Sequence, residues 1–475
     1  MRAHTTLWQI ARLEWRILRR ERSVVAVLAL FAILLVIAAW TGGREAAHLR
    51  AAQERSRAEF NARMAAHHHV VETLDTTAPL QAEDPRDPVW MGQVGAETIA
   101  ILPPAPLAPI ALGQRALLPQ SVRVSTSVHL TAARETDSPM SGPTRLATGT
   151  FDPSFLFVVL LPLVVIALSY ELLAGERERG TLAMLLSQPI TQRSLVLGKA
   201  LARAVLVSLV TLLSGLIGLW LAGADLNAPS AWLHVLWYAL LLVAWAFIWF
   251  TAAVAVNSRG GNSASNALAL IGIWLVVVVV IPGLSAVAVD SVYPAPSAIE
   301  LISEAREAAQ EIESELNDVT GRHDDTNKRA DYGERVVAIQ NRLAARSAPV
   351  LDELRERRSE RRHFMERLQY ISPAIVVARA LEDIAGADAA RHAEFEAQVE
   401  AYHKTLRAFF SERIVRRAKL TANDLDRLPT MTFKNAPESA LAGRMAIRLL
   451  LLTSLALLLL GLARPGLSSI GRLTR

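Results

Sequence analysis

Long apolar stretches without a single charged residue dominate the pattern along this chain. They lie between Arg22 and Arg44, Asp152 and Glu171, Arg203 and Asp225, Asp225 and Arg259, Arg259 and Asp290, and Arg448 and Arg464. A membrane-spanning helix needs about 20 apolar residues, with about 17 as a minimum. The last stretch is shorter, and we expect Arg444 and Arg448 to extend it by snorkelling toward the interface. Helices that are apolar on every side belong in lipid. The pattern therefore predicts an all-α membrane protein with six transmembrane helices.

Basic residues between the spans predict the orientation. Arginine and lysine are frequent before the first span, between spans two and three, between spans four and five, and after the last span, whereas the connection around Asp225 has none. Because cytoplasmic connections are enriched in these residues, both termini are expected in the cytoplasm and both long connections outside. The expected spans are 23–41, 153–174, 199–222, 231–256, 265–289 and 444–463. The expected cytoplasmic segments are an interfacial helix at 1–22, a coupling loop at 175–198 and a tail at 464–475. The expected external segments are a first region at 42–152 and a helical domain at 290–443.

The residues before the first span form an amphipathic pattern. Residues 5–21 place Leu7, Ile10, Ala11, Trp15 and Leu18 at helical spacing among arginines. This pattern is typical of a helix that lies along the inner leaflet. The alternative is a plain helical extension of the first span.

The first external region combines several patterns. Residues 44–75 are polar and helix-prone, which predicts a stalk, whereas the dense prolines of 79–119 exclude a long helix and predict extended structure. Residues 121–130 alternate apolar and polar as a strand does. His67, His68 and His69 suggest a metal site, but consecutive helical residues point about 100° apart, so a solvated cluster is the favoured interpretation.

The second external region predicts helices. Apolar residues recur at three-four spacing from Ile302 to Val319, and 321–330 indicates a turn. A helix is expected from about Asp331, interrupted or restarted at Pro349. A further helix pair follows Pro373, with a break at Gly386 and Asp388.

Composition and the absence of known motifs exclude several classes of function. The net charge is only +5 and much of it flanks the apolar stretches, so it indicates topology rather than nucleic-acid binding. Cysteine is absent, which excludes disulfides and thiolate metal sites. The chain lacks a P-loop, a His-Glu-x-x-His helix and a Gly-x-Ser-x-Gly turn. His234 and Glu171 are ionisable but lie near the expected interfaces. We therefore expect no enzyme activity, no cofactor and no metal on this chain.

The connection between spans two and three is the most informative segment. Gly180 permits a sharp turn, and Thr181 is expected to cap a helix that carries Leu182, Leu185 and Leu186 on one side. Pro189 would end that helix and Thr191 would cap the next one. A short amphipathic helix of this kind suits a groove on a soluble partner. The alternative is a turn that contacts only lipid headgroups.

This segment resembles the hallmark of the type-2 (ABC-2) class of ABC exporter permeases. The matching residues are Glu176, Glu178, Gly180, Thr181, Leu182, Leu185, Leu186, Pro189, Ile190, Arg193, Gly198 and Lys199. Residues 102–119 and 369–374, with Arg391, His392 and Phe395, are similar to a bacterial subgroup that carries a domain of unknown function between the last two spans. The two large external regions depart from typical members of the class.

The resemblance implies a function and partners. It implies that Glu176, Glu178, Gly180, Thr181, Leu182, Leu185, Leu186, Pro189 and Arg193 couple the chain to a separate ATPase subunit, which holds ATP and Mg. It also implies a second permease copy or a sister permease, with spans one and five at the interface, in the bacterial inner membrane. The expected function is export of an amphipathic or lipid-like substrate, with membrane lipids and a periplasmic or outer-membrane protein as further partners. Two alternatives remain, a mechanotransmission subunit that drives an envelope partner without cargo and a sensor or scaffold without an ATPase.

Overall fold

The computed structural model describes residues 2–75, 78–112, 119–127, 151–188, 190–294 and 328–469. Six helices in these ranges are long and apolar enough to cross a membrane, which confirms the predicted all-α membrane fold. In chain order the elements are α1 (Arg2–Leu18), α2 (Arg22–Thr73), α3 (Pro88–Trp90) with a π-helical turn (Met91–Gly95), β1 (Thr98–Ile101), a 3-10 turn (Ala108–Ile110), β2 (Ser121–Val124), α4 (Pro153–Phe155), a π-helical segment (Leu156–Leu160), α5 (Leu161–Ser169), α6 (Ala174–Glu178), α7 (Thr181–Leu186), α8 (Gln192–Leu221), α9 (Ala231–Asn257), α10 (Ser263–Trp274), a π-helical segment (Leu275–Val280), α11 (Ile281–Val292), α12 (Lys328–Leu368) with a 3-10 turn (Gln369–Ile371), α13 (Pro373–Ala385), α14 (Ala389–Val415), α15 (Ala422–Asp426) and α16 (Glu438–Ser469).

The N-terminal helix α1 is separate from the first span. The chain leaves helical geometry at Arg19 and Arg20, and Glu21 is extended before α2 begins at Arg22. The interpretation of 5–21 as a mere extension of the first span is therefore wrong. The predicted apolar face is the buried one, since Ala11 and Leu18 lie inside the molecule, where α1 packs along α8.

Helix α2 carries the chain from the first span directly into the long connection between spans one and two. It runs for 52 residues without interruption, which corresponds to about 78 Å. Two glycines permit close packing in the middle of α2. A Cβ on Gly42 would lie 2.6 Å from the carbonyl oxygen of Pro109, and one on Gly43 would lie 2.4 Å from Ala222. The helix predicted for 44–75 is confirmed up to Thr73 as an extension of the first span, and its role as a stalk outside the membrane stays a prediction.

The fourth span is the centre of the membrane bundle. The most apolar part of α9 is 78% buried, whereas that of the fifth span, α10–α11, is 11% buried. Tyr238, Trp245 and Trp249 are the largest side chains that α9 places in the core. Helix α9 packs against α16, α8 and α5, and the fifth span lies at the edge of this bundle.

Proline shapes the second and fifth spans in the same way. Each contains a π-helical segment, in which an N–H bonds to the carbonyl five residues earlier. Pro162 and Pro282 have no N–H, so the carbonyls of Phe157 and Val277 lose their partner. The indole of Trp245 donates to Phe157 O at 3.1 Å, and the hydroxyl of Ser372 donates to Val277 O at 2.7 Å. Side chains from other elements thus satisfy both carbonyls.

Residues from both long connections, 42–152 and 290–443, pack together in one hydrophobic core. Strands β1 and β2 pair antiparallel, with Thr98 opposite Val124, so the strand predicted from residue 121 is confirmed up to Val124. Residues 128–130 of that prediction lie outside the described residues. The strands bring Val122 and Val124 against Phe395 and Phe410 of α14. The extended structure predicted for 79–119 is present in the described residues of that range, 79–112 and 119, together with the short turns at 88–95 and 108–110.

The predicted interruption of the long external helix is wrong. Helix α12 continues through Pro349 from Lys328 to Leu368. Pro349 and Ala345 are exposed, so the carbonyl that loses its N–H partner faces water. The stripe predicted at 302–319 lies outside the described residues, as does most of the turn predicted at 321–330. The break between α13 and α14 is confirmed, because Gly386 is left-handed at φ 60° and Asp388 caps α14.

The two arginines expected to snorkel both bind one carboxylate. Arg444 Nε and Arg448 Nη1 both donate to Asp383 Oδ2, at 2.7 and 2.8 Å. This joins the start of α16 to the end of α13. Helix α16 also continues through Pro465 to Ser469, beyond the expected end of the sixth span at 463.

Candidate coupling site

The site lies between the second and third spans. A turn at residues 170–173 ends α5, and the short helices α6 and α7 follow before α8 begins. Gly180 joins α6 to α7 in a left-handed conformation, at φ 73°. A residue with a Cβ rarely adopts this conformation, so the predicted sharp turn at Gly180 is confirmed. Thr191 accepts a hydrogen bond from Ser194 N, which confirms the predicted cap of α8.

Glu176 is bound by two residues of the same connection. Lys199 Nζ lies 2.7 Å from Glu176 Oε1, and the hydroxyl of Thr181 donates to the other carboxylate oxygen. The side chains of Glu176 and Lys199 are 22% and 11% exposed. The prediction that Thr181 caps α7 is wrong, because Thr181 is the first residue inside the helix and its hydroxyl serves Glu176. Three residues of the motif therefore bind one another.

Glu178 fastens this connection to the start of the fifth span. Its carboxylate accepts hydrogen bonds from Ser263 N at 2.7 Å and from Ser263 Oγ at 2.9 Å. Ser263 is the first residue of α10, where unpaired N–H groups and the helix dipole favour a negative charge. The neighbouring Arg177 donates to Gly260 O at 2.5 Å and to Gly261 O at 3.3 Å. Two connections on the same side of the bundle are thereby joined.

A second ion pair attaches α1 to the same end of the bundle. Arg203 of α8 donates from Nε and Nη2 to Glu14 Oε1, at 3.0 and 2.6 Å, and from Nη1 to the carbonyl of Leu168. Gly198 allows the approach, because a Cβ there would lie 2.8 Å from Ile10. Sequence reasoning missed Glu14. Its position among Leu7, Ala11 and Leu18 on the apolar face was the signal that it is buried.

The leucines of α7 do not all face outward. Leu182 is buried in the chain's own core and Leu185 is half-buried. The side chain of Leu186 and the whole of Pro189 lie outside the described residues. Met184 is 72% exposed, so among the described side chains of α7 it is the large apolar one that faces outward. Arg193 is also exposed, in the first turn of α8.

The other candidate residues have local partners. His67 stacks edge-on against Trp90, His68 lies between Glu72 and Asp426, and His69 is exposed. Their different neighbours follow from the angular spacing of consecutive helical residues. Among the described residues no three His, Asp or Glu side chains meet as a metal site would require.

The two ionisable residues near the ends of the spans are also paired. His234 Nε2 lies 3.1 Å from Glu438 Oε2, which links the fourth and sixth spans at one end of the bundle. Glu171 lies 3.7 Å from Arg179, close to the connection that carries α6 and α7. Both residues therefore contribute to contacts between elements of this chain.

Comparison with known proteins decides the family. The sequence model of a family described as "ABC-2 family transporter protein" matches residues 8–464. The chain belongs to the ABC-2 family. A protein named "Probable ABC transporter permease protein NosY" from Pseudomonas aeruginosa is 30% identical over 125 residues, which is 25% of this chain and 44% of that protein. Its namesake from Stutzerimonas stutzeri is 29% identical over 132 residues, which is 26% of this chain and 46% of that protein.

The extent of these similarities differs. The ABC-2 match covers all six candidate spans and both long connections, so the resemblance noted in the coupling segment extends along nearly the whole chain. This ABC-2 member is accordingly a multi-pass membrane protein. The similarity to the NosY proteins spans less than half of their length.

Proposed function

We propose that this chain is the permease subunit of an ATP-driven exporter of an amphipathic or lipid-like substrate. The observation that carries the proposal is the exposed Met184 in a chain of the ABC-2 family. Met184 lies on α7, directly after α6, which binds the third span through Glu176 and the fifth through Glu178. A separate ATPase subunit holds ATP and Mg. Both termini lie in the cytoplasm of a bacterial inner membrane, and the external regions lie in the periplasm.

The braces suggest how the ATPase drives the spans. A partner that displaces α6 and α7 pulls on Lys199 through Glu176 and on Ser263 through Glu178. Lys199 lies in the third span helix and Ser263 begins the fifth, so one displacement reaches two spans. Arg203 extends the connection to α1 through Glu14. In this scheme Glu176 and Glu178 form contacts within the chain. Met184 and Arg193 are the residues that face the ATPase.

The chemistry of the spans supports a weakly charged cargo. Their central stretches contain no Asp, Glu, Lys or Arg, and charged groups in a membrane are costly unless they are paired or hydrated. A strongly ionic cargo would need partners along its path. We therefore assign an amphipathic or lipid-like substrate and the outward direction that the family resemblance implies.

A second permease copy or a sister permease completes the membrane domain. The fifth span is only 11% buried within the chain, and large apolar side chains such as Leu268 and Leu284 are exposed along it. This surface, together with the first span, is the interface that the resemblance implies. A purified complex with one permease chain per two ATPase subunits would contradict the dimer.

The coupling proposal is tested at Met184. Met184→Glu places a carboxylate in the apolar contact with the ATPase, and this costs several kcal/mol if the group stays charged. We expect loss of ATPase pull-down and of stimulated hydrolysis at normal membrane levels, while the matched Met184→Leu variant keeps both. Normal pull-down with normal stimulation in Met184→Glu would remove the support for coupling through α7.

Continuity of α2 favours mechanotransmission as the second candidate. The helix runs from the first span to Thr73, and near this end His68 lies 3.4 Å from Asp426 of α15. A proline at the exposed Arg57 would break the helix at a cost of about 3 kcal/mol. In a mechanotransmission subunit, Arg57→Pro abolishes the effect on the envelope partner while ATP hydrolysis continues. In an exporter, transport continues, and Arg57→Ala is neutral in both cases.

A further inference from the structure

An apolar cleft opens on the surface of the chain between the first and third spans. Its volume is about 310 Å³, and one wall is a stripe of α2 that includes Leu28, Ala29 and Ala32. Leu206 and Val210 of α8 form the other wall. At one end the cleft reaches the junction of α1 and α2, where Arg19 is its only charged lining residue.

The length of the cleft corresponds to one leaflet. From Val24 to Ala32 the α2 wall rises about 12 Å, which is most of one half of a hydrocarbon core about 30 Å thick. The depth comes from Ala29 and Ala32, because small side chains on one stripe of α2 leave room beside α8. A cleft that is apolar along its length and open toward lipid has the shape of an acyl-chain site.

The charge at the open end identifies the head group. Arg19, Arg20 and Arg22 are all exposed there, and no ion pair within the described part of the chain involves any of them. Glu21, the acidic residue among them, accepts a hydrogen bond from Ser23. No side chain caps the first turn of α2, so backbone N–H groups point to the same place. Arginine and free N–H groups are complementary to phosphate.

We propose that this cleft binds one anionic phospholipid, with an acyl chain between α2 and α8 and its phosphate against Arg19, Arg20 and Arg22. Selectivity comes from the arginines, since bulk lipid offers the same hydrocarbon contacts as the cleft. The lipid then holds the junction of α1 and α2 at the inner leaflet. This site is separate from the coupling site and holds whether or not the chain exports a cargo.

The test is quantification of lipids that remain with the full chain after purification in detergent from a bacterial membrane. We expect phosphatidylglycerol and cardiolipin to be enriched several-fold over phosphatidylethanolamine, relative to their ratio in the host membrane. Arg19→Gln/Arg20→Gln lowers this enrichment several-fold, and Arg12→Gln, an exposed change on the same α1 helix, does not. Ala29→Trp fills the cleft and lowers the retained anionic lipid, whereas Leu30→Trp, at an exposed position on the opposite side of α2 from the cleft, leaves it unchanged.

A second measurement covers variants that purify poorly. Added phosphatidylglycerol should raise the melting temperature of the delipidated wild type more than phosphatidylcholine does, and Arg19→Gln/Arg20→Gln should lose this difference. Retained lipid with the composition of the host membrane would overturn the proposal. Enrichment that survives both Arg19→Gln/Arg20→Gln and Ala29→Trp would also overturn it. A change of oligomeric state in Ala29→Trp alone would overturn it as well, because the cleft would then bind a second copy of the chain.

Discussion

Glu176 and Lys199 pair at 2.7 Å across the connection between the second and third spans. Both belong to the segment that resembles the hallmark of ABC-2 permeases, and both side chains are largely buried. A carboxylate and an ammonium so placed satisfy each other before any partner arrives. The motif therefore contributes to the structure of this connection, and that structure determines the position of Met184.

The first prediction concerns this pair. Glu176→Gln or Lys199→Met leaves one partner of a charge-assisted hydrogen bond without its counterpart, at a cost of about 1.5–3 kcal/mol. The double variant should cost less than the sum of the two, with a coupling energy of about 1 kcal/mol or more. Denaturant unfolding in detergent measures all three variants.

The exposed pair of Glu353 and Arg357 is the control. Its side chains are 61% and 65% exposed, so the coupling energy from the same cycle should lie near zero. Equal coupling energies for the two pairs would show that Glu176 and Lys199 interact no more strongly than a surface pair does.

The second prediction concerns topology and uses the absence of cysteine, which makes every introduced thiol unique. Ala82→Cys and Asn227→Cys, both at exposed positions, should react with a membrane-impermeant maleimide in intact spheroplasts. Gln188→Cys, exposed next to α7, should react only after permeabilisation. Labelling of Gln188→Cys in intact spheroplasts would invert the proposed orientation.

The third prediction concerns the acid stability of the external region. Arg86 bonds to Asp84 at 2.7 and 3.0 Å, and both side chains are buried. Burial alone would raise the pKa of the Asp84 carboxyl, but the hydrogen bonds from Arg86 outweigh it and hold this pKa below its ordinary value. The pair therefore stabilises the fold above about pH 4, and this contribution is lost as the pH falls through the depressed pKa.

Asp84→Asn should lower the stability at pH 7 by about 1.5–3 kcal/mol and should flatten the loss of stability below pH 4. The melting temperature of the full chain between pH 3 and pH 7 measures both effects. Glu83→Gln, at the exposed neighbouring position, is the control and should follow the wild type. If the melting temperature of Asp84→Asn falls below pH 4 as steeply as that of the wild type, another group causes the acid sensitivity.

Sequence reasoning predicted what depends on local pattern and missed what depends on distant partners. The spans, the stalk and the turn at Gly180 follow from hydropathy, helical propensity and the freedom of glycine. The buried state of Leu182 depends on how α7 lies against the bundle, and the bond of Thr181 to Glu176 depends on the turn between α6 and α7. Likewise, Pro349 resembles a helix breaker in the sequence, but its exposed setting lets α12 continue.

The π-helical segment of the second span leads to the last prediction. Pro162 leaves the carbonyl of Phe157 without its π-helical donor, and Trp245 of the fourth span donates to it at 3.1 Å. Trp245 is fully buried, so no water replaces the indole when it is removed. Trp245→Phe should therefore leave an unsatisfied buried carbonyl and cost about 1–3 kcal/mol.

Two further variants separate this hydrogen bond from the loss of aromatic volume. Trp220→Phe makes the same change on the third span at a side chain that is 71% exposed, and it should leave the melting temperature nearly unchanged. Pro162→Ala restores an N–H five residues after Phe157, which satisfies the carbonyl within the second span. Trp245→Phe should therefore cost less in the Pro162→Ala background than in the wild type. An equal cost in both backgrounds would mean that packing, rather than the hydrogen bond to Phe157, makes Trp245 necessary.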